Sequence, residues 1–133
     1  MNIHEIAVEF PRTQAQAAQA AATAASAPKV YRALLTQSGT NAPVATVLEN
    51  TLGGTVAWTR EDAGVYVATL AAVFGIGKTV AKISPYSLEY DGFNAQCGIR
   101  DLTVNSFRVL TQDAFVPSDG LLNSTWVEIL VYP

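Results

Sequence analysis

Charge is scarce in this sequence: charged residues make up 14% of it, against about a quarter in ordinary soluble domains. So little charge means a small solvated surface, and such a chain is expected to bury part of itself against its own copies or a larger assembly. Cations such as Lys29, Arg32, Arg60, Lys78, Lys82, Arg100 and Arg108 are scattered among apolar or neutral neighbours. Nucleic-acid binding needs clustered positive charge to displace counterions, so nucleic acid is not expected as a partner.

Cysteine and histidine are nearly missing too, with Cys97 and His4 the single copies of each. One cysteine excludes an internal disulfide and a zinc site built from several thiolates. A nucleophilic thiol needs an imidazole beside it, and His4 sits at the far N-terminal end. Cys97 therefore reads as a small apolar strand residue. The acidic pairs Glu61-Asp62 and Glu89/Asp91 fall in turns, where such residues are ordinary turn chemistry. Calcium takes about six to eight oxygen ligands, and no D-x-D-x-D loop supplies them. No metal or other cofactor is expected, and without an acid, base and nucleophile set no enzymatic activity is expected either.

Nor is there a targeting or spanning segment. Residues 1–10 carry Glu5 and Glu9 with no lysine or arginine, unlike the basic start of a secretory signal. The longest stretch of low charge, residues 13–28, is too short and too rich in glutamine to cross a bilayer. Synthesis in a cytoplasm without membrane insertion is expected, with exit by assembly or lysis.

Three segments differ in composition. In residues 1–12, Ile3, Ile6, Val8 and Phe10 alternate loosely with polar residues and alanine, which reads as an extended arm that needs a host surface. Residues 13–28 read as a helix. Thr13 and Gln16 form a T-x-x-Q capping box, alanine fills nine of the thirteen positions from 15 to 27, and Pro28 stops the run. With no large apolar stripe, this helix is either one strand of a close-packed bundle, with Ala15, Ala18, Ala22 and Ala25 at its axis, or a low-complexity linker that is helical part of the time.

From residue 29 onward the pattern has period two. Segments 29–37, 44–50, 55–60, 64–72, 78–84, 96–101, 103–112 and 124–132 read as strands rich in Val, Thr, Tyr and Ile. Between them stand turn residues: Gly39, Asn41 and Pro43, then Gly53-Gly54, Asp62-Ala63-Gly64, Asp91-Gly92 and Pro117-Ser118-Asp119-Gly120. The expected fold is mainly β, an antiparallel β-sandwich or jelly-roll-like domain over 29–133, carrying the short alanine-rich helix and the arm. In segment 55–60, Val56 and Trp58 share a face opposite Thr55, Ala57 and Thr59, as in a half-buried strand. The last segment is apolar on both faces, with Trp126, Leu130 and Tyr132 on one and Val127, Ile129 and Val131 on the other. One face is expected to belong to the core and the other to a partner subunit.

Phe74-Gly75-Ile76-Gly77-Lys78-Thr79 ends like a phosphate-binding loop. That motif needs a glycine where Ala72 stands and a helix after it, whereas Thr79-Val80-Ala81-Lys82-Ile83 is strand-like. It reads as a glycine turn. Asn123-Ser124-Thr125 matches a glycosylation acceptor but reads as a loop into the last strand. Of the aromatics Trp58, Trp126, Tyr31, Tyr66, Tyr86, Tyr90 and Tyr132, most are expected in the core or an interface. Tyr86 and Tyr90, beside Pro85 and Asp91-Gly92, are the candidates for surface recognition.

The stretch Tyr31-Arg32-Ala33-Leu34-Leu35-Thr36-Gln37-Ser38-Gly39-Thr40-Asn41-Ala42-Pro43, with Val47-Leu48-Glu49-Asn50 and Leu52-Gly53-Gly54, resembles a segment of small phage virion proteins. Trp58-Thr59-Arg60, Gly64-Val65-Tyr66 and the ending Glu128-Ile129-Leu130-Val131-Tyr132-Pro133 fit the same resemblance, which covers roughly residues 29–133. It implies a trimeric fibre, spike or capsid-decoration module located in the virion. There Ile3, Ile6, Val8 and Phe10 would anchor the arm to other virion proteins. Ala15, Ala18, Ala22 and Ala25, together with Val127, Ile129 and Val131, would form the homotrimer interface. The β-domain would face outward toward a host surface, a glycan among the partners considered. The rival expectation is a carbohydrate-binding β-sandwich module of a non-viral protein.

Overall fold

The computed structural model describes residues 14–15, 27–84 and 95–133. Of the arm and helix residues singled out above, Gln14 and Ala15 are described, both helical and exposed. Ile3, Ile6, Val8, Phe10, Ala18, Ala22 and Ala25 lie outside the described residues, as do Tyr86, Tyr90, Glu89 and Asp91.

The described part of 29–133 is built of strands: β1 Lys29–Thr36, β2 Val44–Asn50, β3 Ala57–Asp62, β4 Val65–Thr69, β5 Thr79–Ile83, β6 Ala95–Arg100, β7 Ser106–Asp113, β8 Val116–Pro117 and β9 Thr125–Val131. They form two antiparallel sheets. Sheet A has the order β2-β1-β9-β5, and sheet B the order β3-β4-β7-β6 with β8 also on β7. The first and last strands thus lie side by side, from Lys29 opposite Val131 to Leu35 opposite Thr125.

The sheets share one core. Tyr31, Ala33 and Leu35 of β1 and Val127, Ile129 and Val131 of β9 enter it from sheet A; Tyr66 and Ala68 of β4 and Phe107 and Val109 of β7 enter from sheet B. Along β9, buried and half-buried residues alternate without a break, as the two-residue period of a strand requires. Phe74, in the glycine-rich turn before β5, closes the core. Its ring meets Phe107 edge-on at 5.4 Å, and its amide donates to the Val104 carbonyl at 2.9 Å. Burying such a side chain contributes about 1.5–3 kcal/mol.

Several strand ends differ from those read in the sequence. Segment 55–60 pairs two residues later, because β3 continues through a bulge opposite Val65. Segment 64–72 pairs only to Thr69; beyond it the Leu70 amide turns to the Asn105 carbonyl, and Ala72 takes a left-handed φ of 59°. Segment 103–112 pairs from Ser106, since the Thr103 hydroxyl accepts the amides of Asn105 and Ser106 in a turn. Strand β8 lies outside every segment expected to form a strand. It follows a two-residue hairpin turn in which Ala114 and Phe115 have φ of 49° and 65°, positions that usually call for Asn or Gly.

Candidate interaction surface

The outer face of sheet A is ordered by the strand register into rows. One row holds Val80, Leu130 and Val30 side by side on β5, β9 and β1. The next holds Lys82, Glu128, Arg32 and Glu49, continuing across to β2. The third holds Trp126, Leu34 and Thr46. Two largely apolar rows thus flank a ladder of alternating charge. Val80 is 41% exposed, and Val30, Leu34, Trp126 and Leu130 are half-buried. These five apolar side chains, aligned on one sheet face, have no second layer above them among the described residues.

The ladder is internally paired at its centre. Arg32 Nε donates to Glu128 Oε2 at 2.8 Å, and another guanidinium nitrogen pairs with Glu49. One arginine bridging two carboxylates lowers the cost of desolvating all three. Lys82 makes no ion pair among the described residues.

This arrangement corrects part of the sequence reading. Val127, Ile129 and Val131 belong to the core of a single chain, the first two fully buried and the third 9% exposed. They are not free for a subunit interface. The residues of β9 that face outward are Trp126, Glu128 and Leu130, because the inward phase of the strand is set by its place between β1 and β5 over sheet B. Glu128 is the one charged residue of an otherwise largely apolar strand. Its partner is 96 residues away, so no local pattern announces the ladder.

A second polar cluster closes one end of the sandwich. Arg60 donates to both carboxylate oxygens of Asp119, at 2.7 Å through its terminal nitrogen. The Gly64 amide and the Tyr66 hydroxyl both donate to Asp119 Oδ1, at 3.0 and 2.7 Å. Gln37 Oε1 lies 2.8 Å from the same hydroxyl and accepts the Gly120 amide at 2.6 Å. Its amide nitrogen donates to the carbonyls of Gly39 and Asn41. Arg60, and after it the Gly64 amide and Tyr66 hydroxyl, hold the Asp119 carboxyl down to about 2. Burial first, and then the neighbouring Asp119 charge, push Tyr66 upward. Among the described residues no buried side-chain polar atom lacks a partner. The cluster therefore joins three turns.

A third feature is an open groove of about 240 Å³ on sheet B, lined by residues that include Gln96, Gly98, Arg100, Leu110 and Gln112. None of its lining residues is aromatic. Cys97 lies there on β6, half-buried, and burial pushes its thiol up, away from the reactive thiolate.

The other residues singled out are dispersed. Tyr31 and Tyr66 are buried in the core. The Trp58 indole N–H donates to the Tyr31 hydroxyl at 3.1 Å, while its ring meets Phe107 edge-on. Glu61 is held below its ordinary range by a hydrogen bond from Arg108. The Asp62 carboxylate accepts the Ala63 amide in its own turn. The chain after Gly77-Lys78 is strand, without the helix a phosphate loop needs. Among the described residues there is no group of three potential metal ligands, and no helix is long and apolar enough to cross a membrane. Comparison with known proteins finds no matching family model, no matching curated sequence and no matching solved structure.

Proposed function

We propose that this chain is a structural, non-enzymatic module of a virus particle that works by association, as a homotrimer displayed from its N-terminal segment. The observation that carries the reading is the outer face of sheet A, where Val30, Leu34, Val80, Trp126 and Leu130 lie together. Apolar side chains aligned on a sheet face are the usual mark of a surface that another surface covers. The scarcity of charge in the whole chain supports the same conclusion.

The finer parts of the proposal come from the sequence and its resemblance to phage virion proteins. An arm over residues 1–12 docks on the particle, a helix over 13–28 packs with its copies, and the β-domain projects outward. Of the two β architectures expected, a sandwich suits the strand order better than a jelly roll. Chain neighbours pair within a sheet at β1–β2, β3–β4 and β6–β7, whereas a jelly roll sends most neighbours to opposite sheets. Display in several copies turns weak contacts with a cell surface into avidity.

Light scattering on the full chain and on a chain starting at Pro28 tests the proposal. The full chain is expected at a multiple of three times 14.1 kDa, and the shortened chain is expected to lose that multiple. A monomer in both cases overturns it. A saccharide bound at micromolar strength by a monomer on a glycan array would instead make the chain a carbohydrate-binding module.

A further inference from the structure

We propose that the outer face of sheet A binds the same face of a second copy, related by a two-fold axis that lies between the faces and runs along the strands between β9 and β1. Self-association is the premise shared with the function proposed above; the choice of face, partner and symmetry is new.

The argument begins with the signs in the ladder. Read across the sheet from β5 to β2 they are Lys82 positive, Glu128 negative, Arg32 positive and Glu49 negative, in one register row. A two-fold axis parallel to the strands reverses left and right on the opposing face and preserves height along the strands. It sets Lys82 over Glu49 of the second copy and Glu128 over its Arg32, and the same pairs recur on the other side of the axis. The alternative axis, across the strands, sets each charge over its own twin. Only the first arrangement is attractive at all four positions, and like charges face to face are costly.

The apolar rows fit the same operation. Leu130 falls over Val30 of the second copy, and Trp126 over its Leu34, each pair occurring twice. These rows lie on either side of the ladder and would shield it from water, which strengthens the charge pairs. The internal bridge from Arg32 to Glu128 and Glu49 leaves one net negative charge at the centre of the ladder, which the facing Lys82 of the second copy would balance. Lys82 has no ion pair among the described residues, and the contact supplies one. Sheets packed face to face at about 30° are a stable solution for twisted strands. A four-strand face is small beside the roughly 800 Å² per partner of standard interfaces, so a micromolar contact is expected.

Such a contact is isologous and closes on two β-domains. Where the N-terminal segments already hold chains in threes, it joins one trimer to the next.

The test uses the full chain and two opposite charge reversals, Lys82→Glu and Glu49→Lys, with mass followed by light scattering from low to high micromolar concentration. The wild type is expected to gain mass with concentration. Each variant alone is expected to need at least tenfold more protein for the same gain, because its two outer contacts become repulsive. An equimolar mixture of the two variants is expected to recover wild-type association, since every outer contact in the mixed pair joins opposite charges again. Val80→Glu, at an exposed position in the neighbouring row, is expected to weaken association without rescue by either variant. Circular dichroism on each variant confirms folding. Wild-type association by both reversals, or no recovery on mixing folded variants, overturns the proposal, and occupation of the face by residues 1–26 of the same chain gives the first of these results. The trimer reading fails separately, if the smallest species is not a multiple of three while the mixing rescue holds.

Discussion

The hydroxyl of Tyr66 lies 2.7 Å from the carboxylate of Asp119, 53 residues further along the chain. Around this pair, Arg60 and Gly64 complete the donors, so one side chain in the loop after β8 holds the β3–β4 hairpin in place. Gln37 continues the network to the turn after β1. The end of the sandwich is thus closed by hydrogen bonds between turns, each too weak alone to order a loop.

Replacing Asp119 by Asn is therefore expected to destabilise the fold by about 1–3 kcal/mol, the usual cost of removing a charged hydrogen-bond partner from enclosed donors. Urea denaturation measures it as a lower midpoint at unchanged slope. Wild-type stability in Asp119→Asn would show that the network does not hold the turns.

The same carboxylate has a pH signature. Its folded value is held down to about 2, from an ordinary 3.8, so the folded state favours the ionised form. That contribution is fully present above about pH 4 and is lost as the pH falls through about 2. Glu61, held low by Arg108, acts in the same direction. The stability gap between wild type and Asp119→Asn is expected to be constant from pH 7 to 5 and to close between about 4 and 2. Thermal melts across this range read it directly.

Two glycines should respond oppositely to alanine. Gly64 has a φ of +65°, and a Cβ there would collide with the Thr111 carbonyl oxygen and the Ser118 amide. Gly98, on the open side of β6, would place a Cβ in free space. Gly64→Ala is expected to cost more than about 1 kcal/mol, whereas Gly98→Ala is expected to leave the melting temperature within a degree or two or to raise it.

The two faces of β9 can be separated by truncation. Ile129→Ala opens the core and is expected to cost about 2–5 kcal/mol. Leu130→Ala, on the outward face, is expected to cost much less stability and to weaken association instead. Equal losses of stability in urea at the two positions would show that the strand has no outward face.

Much of the β architecture was legible. The two-residue period of segment 44–50 matches β2 at both ends, and the turns at Gly39, Gly53 and Gly64 carry positive φ as glycine allows. These are local matters, decided by steric preference over a few residues. The ends of β3, β4 and β7 were not legible, because a strand stops where its partner stops and not where its residues cease to suit it. The Ala114-Phe115 turn carried no signal, since neither residue favours the left-handed conformation that the hairpin imposes.

The sandwich-end cluster was equally hidden. Asp119 stands in Pro117-Ser118-Asp119-Gly120 and looks like one more turn residue; its donors are 53 to 59 residues away.

The last strand shows the division most clearly. Composition and period alone determined that β9 is largely apolar on two faces. Neither determined which face is inside. Alternation gives two phases of equal regularity, and only the pairing of β9 between β1 and β5, with sheet B on one side, turned Val127, Ile129 and Val131 inward. That choice left Trp126 and Leu130 outward, and it brought Lys82, Glu128, Arg32 and Glu49 into one row from four strands.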